Sequence, residues 1–219
     1  MRFLGVFAKY WTPGRVKTRL GRTVGDDAAA ELHRSFVLTT LRRLSTSADQ
    51  RRLFFAPADC EQQLRAETPD AWALRAQCDG DLGRRMEAFF TACFDERAER
   101  VVLVGSDSPN LPTEYVEQSF AALTNHDIVI GPTEDGGYYL IGARIRTPPI
   151  FAGVHWGTPT VWSDTMQRIA DSGLIHHELP MWYDIDFYDD MQRMWGDHQS
   201  DLSPLPADLA DLIRRHLAG

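Results

Sequence analysis

Near the N-terminus, Lys9, Arg15, Lys17 and Arg19 surround Gly14 in a Pro-Gly turn. Cationic side chains beside flexible backbone, with a helix starting near Val16, can neutralise a diphosphate or triphosphate while the helix's free N–H groups add donors. A solvated basic turn has the same spacing, and no complete Gly-x-x-x-x-Gly-Lys-Ser/Thr motif is present. Further on, Gly105-Ser106-Asp107-Ser108-Pro109 follows the apolar run Val101 to Val104. A carboxylate at a strand end points into the crevice where open α/β sheets bind ligands, and together with phosphate oxygens it can hold Mg²⁺ or Mn²⁺. Asp107 is therefore a metal candidate; the alternative is that Asp107 and Ser108 cap the following turn. Asp186 is the preferred second ligand. If Asp184-Ile185-Asp186 is extended, both carboxylates share one face while Ile185 points the other way. The alternative for Asp186 is an N-cap on the helix carrying Met191 and Trp195.

In Glu134-Asp135-Gly136-Gly137-Tyr138-Tyr139 the paired glycines permit a tight turn close to a ligand, and Asp135 can orient an acceptor hydroxyl or take its proton. An ordinary turn feeding a strand fits these residues equally. The stretch Gln77 to Met86 can supply an amide to a base or ribose, with Arg84 or Arg85 reaching phosphate. A surface loop with a helix cap is the competing reading. His155 lies in an aromatic loop with Phe151 and Trp156 and can assist proton transfer. His155, His176 and His177 lack zinc-site spacing, and Ser106 and Ser108 lack a nucleophile elbow, so zinc and serine hydrolases are disfavoured.

These residues need a scaffold. Phe3 to Ala8 reads as a strand covered on both faces, which puts Lys9 near its C-terminal end. Asp26 can cap a helix through Leu32, Phe36 and Leu41, and a second strand fits Arg52 to Ala56. A short helix after Asp59, a turn at Pro69 and a strand near Trp72 to Ala76 follow. Gly80-Asp81-Leu82-Gly83 opens a helix carrying Met86, Phe89, Phe90 and Phe94. After the strand at Val101 to Val104, Pro112 sits in the first turn of a helix ending near Leu123. Strands at Asp127 to Ile130 and Tyr138 to Ile141, a shaped loop from Pro148 to Pro159, a helix from Thr160 to Ser172, a strand near His176 to Leu179 and a helix from Pro206 to Leu217 complete the pattern. The alternation predicts an α/β protein with a mostly parallel sheet and helices on both faces. No internal repeat or linker divides the chain, so one domain is expected.

With 31 acidic against 23 basic residues, the formal charge of −8 repels a polyanion, which disfavours nucleic acid as a partner while leaving room for a local basic pocket. Apolar residues at 43% and charged residues at 25% describe a globular chain. Cys60, Cys78 and Cys93 form no C-x-x-C pair and suit a reducing compartment. The early Lys9 argues against a secretory segment, and no apolar run approaches a bilayer span, so a cytoplasmic protein without stable membrane association is expected. Nothing here specifies an oligomeric state.

The chain resembles the GT-A-like transferases of the DUF2064 family, within the nucleotide-diphospho-sugar transferase superfamily. The resemblance rests on Phe7-Ala8-Lys9, Pro13 to Leu20, Gly80 to Gly83, Gly105 to Pro109, Asp135 to Gly142 and Asp184 to Asp186, in that order along nearly the whole sequence. It implies a single Rossmann-like GT-A domain over residues 1–219, with a nucleotide-binding N-terminal half and an acceptor-binding C-terminal half. By this resemblance Lys9, Gly14, Arg15 and Lys17 lie at the phosphates, and Gln77, Gly80, Asp81 and Gly83 lie near the nucleotide. Asp107 matches a reduced metal motif, Ser-Asp-Ser in place of Asp-x-Asp, and Asp186 matches its later acidic partner. A basic loop stands where a dinucleotide fold carries Gly-x-Gly-x-x-Gly, so NAD is not implied. The expected activity is Mg²⁺- or Mn²⁺-dependent glycosyl transfer from a nucleotide-diphosphate sugar to a small acceptor, with Asp107, Asp135, His155 and Asp186 at the reacting centre. The alternatives are nucleotidyl transfer from a nucleoside triphosphate to a phosphorylated small molecule, and a non-catalytic nucleotide or nucleotide-sugar sensor.

Overall fold

Successive strand residues are buried on opposite sides of one sheet in the computed structural model, which describes residues 1–146 and 148–217. The elements in chain order are β1 (Arg2–Lys9), α1 (Thr18–Val24), α2 (Asp26–Arg43), β2 (Gln50–Ala56), α3 (Glu61–Glu67), β3 (Ala73–Ala76), α4 (Leu82–Asp95) and β4 (Arg100–Gly105). Then come α5 (Thr113–Ala122), β5 (Ile128–Pro132), β6 (Tyr138–Ala143), α6 (Val161–Asp171), β7 (His176–Glu178), α7 (Tyr188–Gln199) and α8 (Ala207–Leu217). The strand order is β3-β2-β1-β4-β6-β5-β7. Only β6 runs against its neighbours, pairing antiparallel with both β4 and β5; the other pairings among the described residues are parallel. The local cause is the turn after Thr133, whose N–H bonds Gly137 O at 3.1 Å, because a tight hairpin can join only antiparallel strands.

Each face of the sheet is closed by helices. Leu53 and Phe55 of β2 and Val102 and Val104 of β4 pack with Val37 and Leu41 of α2, Leu64 of α3 and Phe120 of α5. Their neighbours Phe54, Val101 and Leu103 point the other way, onto Met86, Phe89 and Phe90 of α4 and Ile169 of α6. Complete burial of a side chain such as Phe89 contributes about 1.5–3 kcal/mol. A third cluster joins Leu20, Phe36, Tyr183 and Ile185 to α7 and α8, which anchors the acidic 184–186 segment against the α1–α2 corner.

Several helix starts differ from the sequence expectation. Val16 is a buried core residue and Lys17 adopts a left-handed conformation (φ 43°, ψ 42°), so α1 begins at Thr18. Gly25 is the N-cap of α2, and Asp26 lies in the first turn, where its charge still favours the helix N-terminus. Pro112 caps α5 from outside its first turn. Phe187 holds the N-cap position of α7, and Asp190 Oδ2 accepts from the backbone N–H groups of Asp186 (3.0 Å) and Phe187 (2.7 Å), which leaves the Asp186 carboxylate available elsewhere. No helix among the described residues is long and apolar enough to cross a membrane.

Candidate functional site

From β1 the chain passes to β2 on one side, while β4 lies on the other, so the C-terminal ends of β1 and β4 flank the point where the strand order reverses. Open α/β sheets bind ligands at this position because the diverging loops leave a crevice. Here it is a cleft of about 720 Å³ whose lining includes Lys9, Arg15, Lys17, Gln77, Asp107, Asp135 and Asp186.

Lys17 lies at the centre of the charge arrangement. Its Nζ forms an ion pair with Asp107 Oδ1 and another with Asp186 Oδ1 at 3.0 Å, and Arg19 Nη1 reaches Asp186 Oδ2 at 3.3 Å. The Lys17 side chain is only 3% exposed, whereas Asp107 and Asp186 are 45% and 36% exposed, so the carboxylates cover the ammonium on the cleft side. Burial opposes the charge on Lys17, but Asp107 and Asp186 outweigh it and hold the pKa above its ordinary value. For Asp107, desolvation opposes ionisation and the charges of Lys17 and His33 reverse the balance, holding its pKa below the ordinary value. Asp184 moves the other way, raised to about 7 by burial and by the neighbouring Asp107 charge against the opposing Ser108 hydroxyl and Lys17.

The two acidic segments are tied together by hydrogen bonds that span the fold. Ile185 N–H donates to Asp107 O at 2.9 Å, and Ser108 Oγ donates to Asp184 Oδ1 at 2.5 Å. Beneath them, buried Asn110 donates to Tyr183 Oη at 2.7 Å and accepts from Trp182 Nε1 at 3.4 Å, while Tyr183 Oη donates to Asp197 of α7 at 2.5 Å. Ile185 is fully buried, so the extended segment does alternate an apolar anchor with outward carboxylates.

At the nucleotide-facing end expected from the sequence, Gln77 Nε2 donates to Phe54 O at 2.9 Å and its Oε1 accepts from Arg85 Nη1 at 3.2 Å. Arg85 therefore belongs to the cleft, and Arg84 does not. Adjacent helical positions point about 100° apart, so only one of the pair can face inward. Arg84 instead offers its backbone N–H to the N-cap Asp81 at 2.8 Å, and its stem packs on Gly80. Gly80 and Asp81 form the helix start outside the cleft lining. Gly83 lies beneath Trp156, where an added Cβ would come within 2.6 Å of the indole Nε1. Gly14 occupies an exposed turn (φ 72°) closed by Arg15 N–H to Thr12 O at 3.0 Å.

Asp135 Oδ1 accepts from Thr133 Oγ1 (2.6 Å) and Gly137 N–H (3.1 Å), so it closes the β5–β6 turn and also lines the cleft. His155 is largely exposed and lies outside the lining, its Nδ1 2.8 Å from Asp164 Oδ2, although Trp156 and Thr158 of the same loop face inward. Sequence reasoning missed His33. It lines the cleft from α2, donates from Nε2 to Lys9 O at 3.1 Å, and leaves Nδ1 without a partner. Burial, reinforced by Lys17, lowers its pKa to about 4. The available signal was a lone histidine on the face of α2 that also buries Leu32 and Phe36.

Two carboxylates converging on one cation are the hard oxygen donors that Mg²⁺ or Mn²⁺ takes, with phosphate oxygens completing the shell. Among the described residues there is no group of three or more His, Cys, Asp or Glu side chains arranged to hold a metal by themselves.

Comparison with known proteins agrees with this architecture. A solved protein of Desulfovibrio desulfuricans G20, provisionally named a nucleotide-diphospho-sugar transferase, is 35% identical, covering 99% of this chain and 95% of its own, with a TM-score of 0.90. That likeness supports a transferase-like enzymatic function. Rv0371c of Mycobacterium tuberculosis H37Rv, solved in complex with manganese, shares 18% identity over 89% of this chain and 98% of its own with a TM-score of 0.50. A cytidylyltransferase of Leptospira borgpetersenii shares 12% identity over 99% and 95% of the two chains with a TM-score of 0.59. These two show the GT-A-like fold alone. No curated protein matches. The sequence model of the family described as uncharacterized protein conserved in bacteria (DUF2064) matches residues 40–158, and with the Desulfovibrio relative it establishes that this chain belongs to the DUF2064 family.

Proposed function

We propose that this protein transfers a glycosyl group from a nucleotide-diphosphate sugar to a small acceptor with the help of Mg²⁺ or Mn²⁺. The observation that carries the proposal is the convergence of Lys9, Arg15, Lys17, Asp107 and Asp186 on one cleft at the switch point of the sheet. The name of the Desulfovibrio relative points the same way. In this reading residues 1–219 act as one domain. Its N-terminal half binds the nucleotide, with Lys9 and Arg15 neutralising phosphate oxygens and Arg85, braced by Gln77, facing the nucleoside. Asp107 and Asp186 are the protein ligands of a divalent ion, which when bound supplies Lewis-acid stabilisation of charge on the departing diphosphate. The C-terminal half binds the acceptor: Asp135 orients its hydroxyl or takes its proton, and Tyr138 and Trp156 form an apolar wall that limits water. His155 stands at the rim of that acceptor side. The free thiols Cys60, Cys78 and Cys93 suit work in a reducing compartment such as the cytoplasm.

Product analysis tests this reading. Release of a nucleoside diphosphate from a sugar donor in an acceptor-dependent reaction supports glycosyl transfer. Release of pyrophosphate from a nucleoside triphosphate replaces it with nucleotidyl transfer, and tight nucleotide binding without turnover of either donor class identifies a sensor.

A further inference from the structure

Lysine is scarce in this chain. Lys9 and Lys17 are the only two, every other member of the basic total of 23 is arginine, and both lysines line the same cleft. An ammonium is a compact point charge on a flexible stem, suited to moving between partners, whereas a guanidinium forms planar paired contacts. Lys17 sits where a divalent cation would be expected, in ion pairs with both Asp107 and Asp186.

We propose that Lys17 is an internal counter-ion which competes with divalent metal for the Asp107 and Asp186 carboxylates, so that metal entry and withdrawal of Lys17 are one event. The inference rests on the metal-dependent reading above. Both carboxylates are open to the cleft while the ammonium lies beneath them, so an incoming ion meets the oxygens directly and then faces a buried positive charge a few ångströms behind. Two cations so close in a partly dehydrated site repel strongly, and the monovalent, tethered one is the one able to leave. The backbone at Lys17 has the means to respond. Its left-handed conformation directly before α1 is disfavoured for a residue with a side chain and persists only while its surroundings hold it there. Phosphate oxygens arriving between Lys9 and Arg15 offer the displaced ammonium a new partner. Metal and diphosphate therefore bind cooperatively: each removes the obstacle to the other, and the metal-free carboxylates stay neutralised.

The test uses the full-length protein and Mn²⁺ alone, with no nucleotide. Titration calorimetry compares wild type with Lys17→Met, which keeps an unbranched side chain one atom shorter and removes its charge, and circular dichroism checks that both are folded. The expected result is Mn²⁺ binding about tenfold or more tighter in Lys17→Met, because the repulsion of a unit charge a few ångströms away is lifted. A second measurement needs no variant: acetylation followed by peptide mass spectrometry reads each lysine, with Lys9 as the internal comparison. Lys17 should be protected without metal and become reactive at saturating Mn²⁺. Equal or weaker Mn²⁺ affinity in folded Lys17→Met, or undiminished protection of Lys17 in metal-saturated wild type, overturns the inference and leaves Lys17 a structural ion pair. Turnover that survives a chelator sinks the metal-dependent reading itself. Turnover lost to the chelator together with an unmoved Mn²⁺ affinity sinks only the role given to Lys17.

Discussion

Acid should destabilise this protein through His33 in a window that can be placed in advance. Its imidazole is buried, donates from Nε2 to Lys9 O, and has its pKa lowered from 6.5 to about 4. Below pH 6.5 the unfolded chain takes a proton at this position and the folded chain does not, so unfolding gains protons and stability falls as pH falls. The contribution is fully present above about pH 6.5, is reduced by about 2 kcal/mol at pH 5, and is lost by about 3 kcal/mol below pH 4. A His33→Gln variant retains an N–H donor for the Lys9 carbonyl but cannot titrate. Urea unfolding of both proteins, followed by circular dichroism from pH 8 to pH 4, isolates the effect because every other titrating group is shared. Wild type should lose about 2 kcal/mol relative to His33→Gln between pH 7.5 and pH 5. Parallel profiles for the two proteins would refute the reasoning, since they would mean that His33 is protonated as readily in the folded state as in the unfolded one. The link to function is direct: His33 holds the carbonyl of Lys9 at the point where β1 gives way to the basic loop.

Other perturbations probe the remaining parts of the site. Gly83→Ala should cost about 1–3 kcal/mol, because its Cβ would lie 2.6 Å from Trp156 Nε1; an unchanged melting temperature would show that the indole moves aside freely. Asp81→Ala removes the side-chain acceptor for Arg84 N–H and should lower stability by about 1 kcal/mol in denaturant titrations, a loss that Asp81→Asn should largely avoid. Asn110→Ala leaves the Trp182 indole and the Tyr183 hydroxyl each short of a buried partner; a loss of about 1–3 kcal/mol is expected, and hydrogen exchange should speed up in residues 182–186. Asp186→Asn should weaken metal-dependent turnover by about tenfold or more and shift it to higher metal concentration, while turnover with unaltered metal dependence would remove Asp186 from the ligand set.

Much of the scaffold is legible in the sequence alone because its signals are local. Val101 to Val104 is apolar at every position, which a strand needs when α4 lies on one face and α5 on the other, and Asp135-Gly136-Gly137 announces a turn through backbone freedom alone. The order of strands and helices followed from such periodicities, and so did the placement of Lys9 and Asp107 at strand ends. Other features were decided only by tertiary structure. Periodicity says which face of a helix is buried but not which partner it meets, so Arg84 and Arg85 stayed interchangeable until α4 was docked on the sheet. The buried His33 stayed hidden in an otherwise apolar face for the same reason. Antiparallel insertion of β6 between β4 and β5 depends on a pairing choice that no single strand encodes. Above all, Lys17, Asp107 and Asp186 come from distant parts of the chain: the sequence pairs Asp107 with Asp186 as candidate metal ligands and groups Lys17 with the basic loop, but no spacing joins Lys17 to either carboxylate. Their meeting depends on β4 lying beside β1 and on Ile185 and Tyr183 locking the last acidic segment against α1 and α2, because electrostatic partners are set by distance in space, which the fold alone creates.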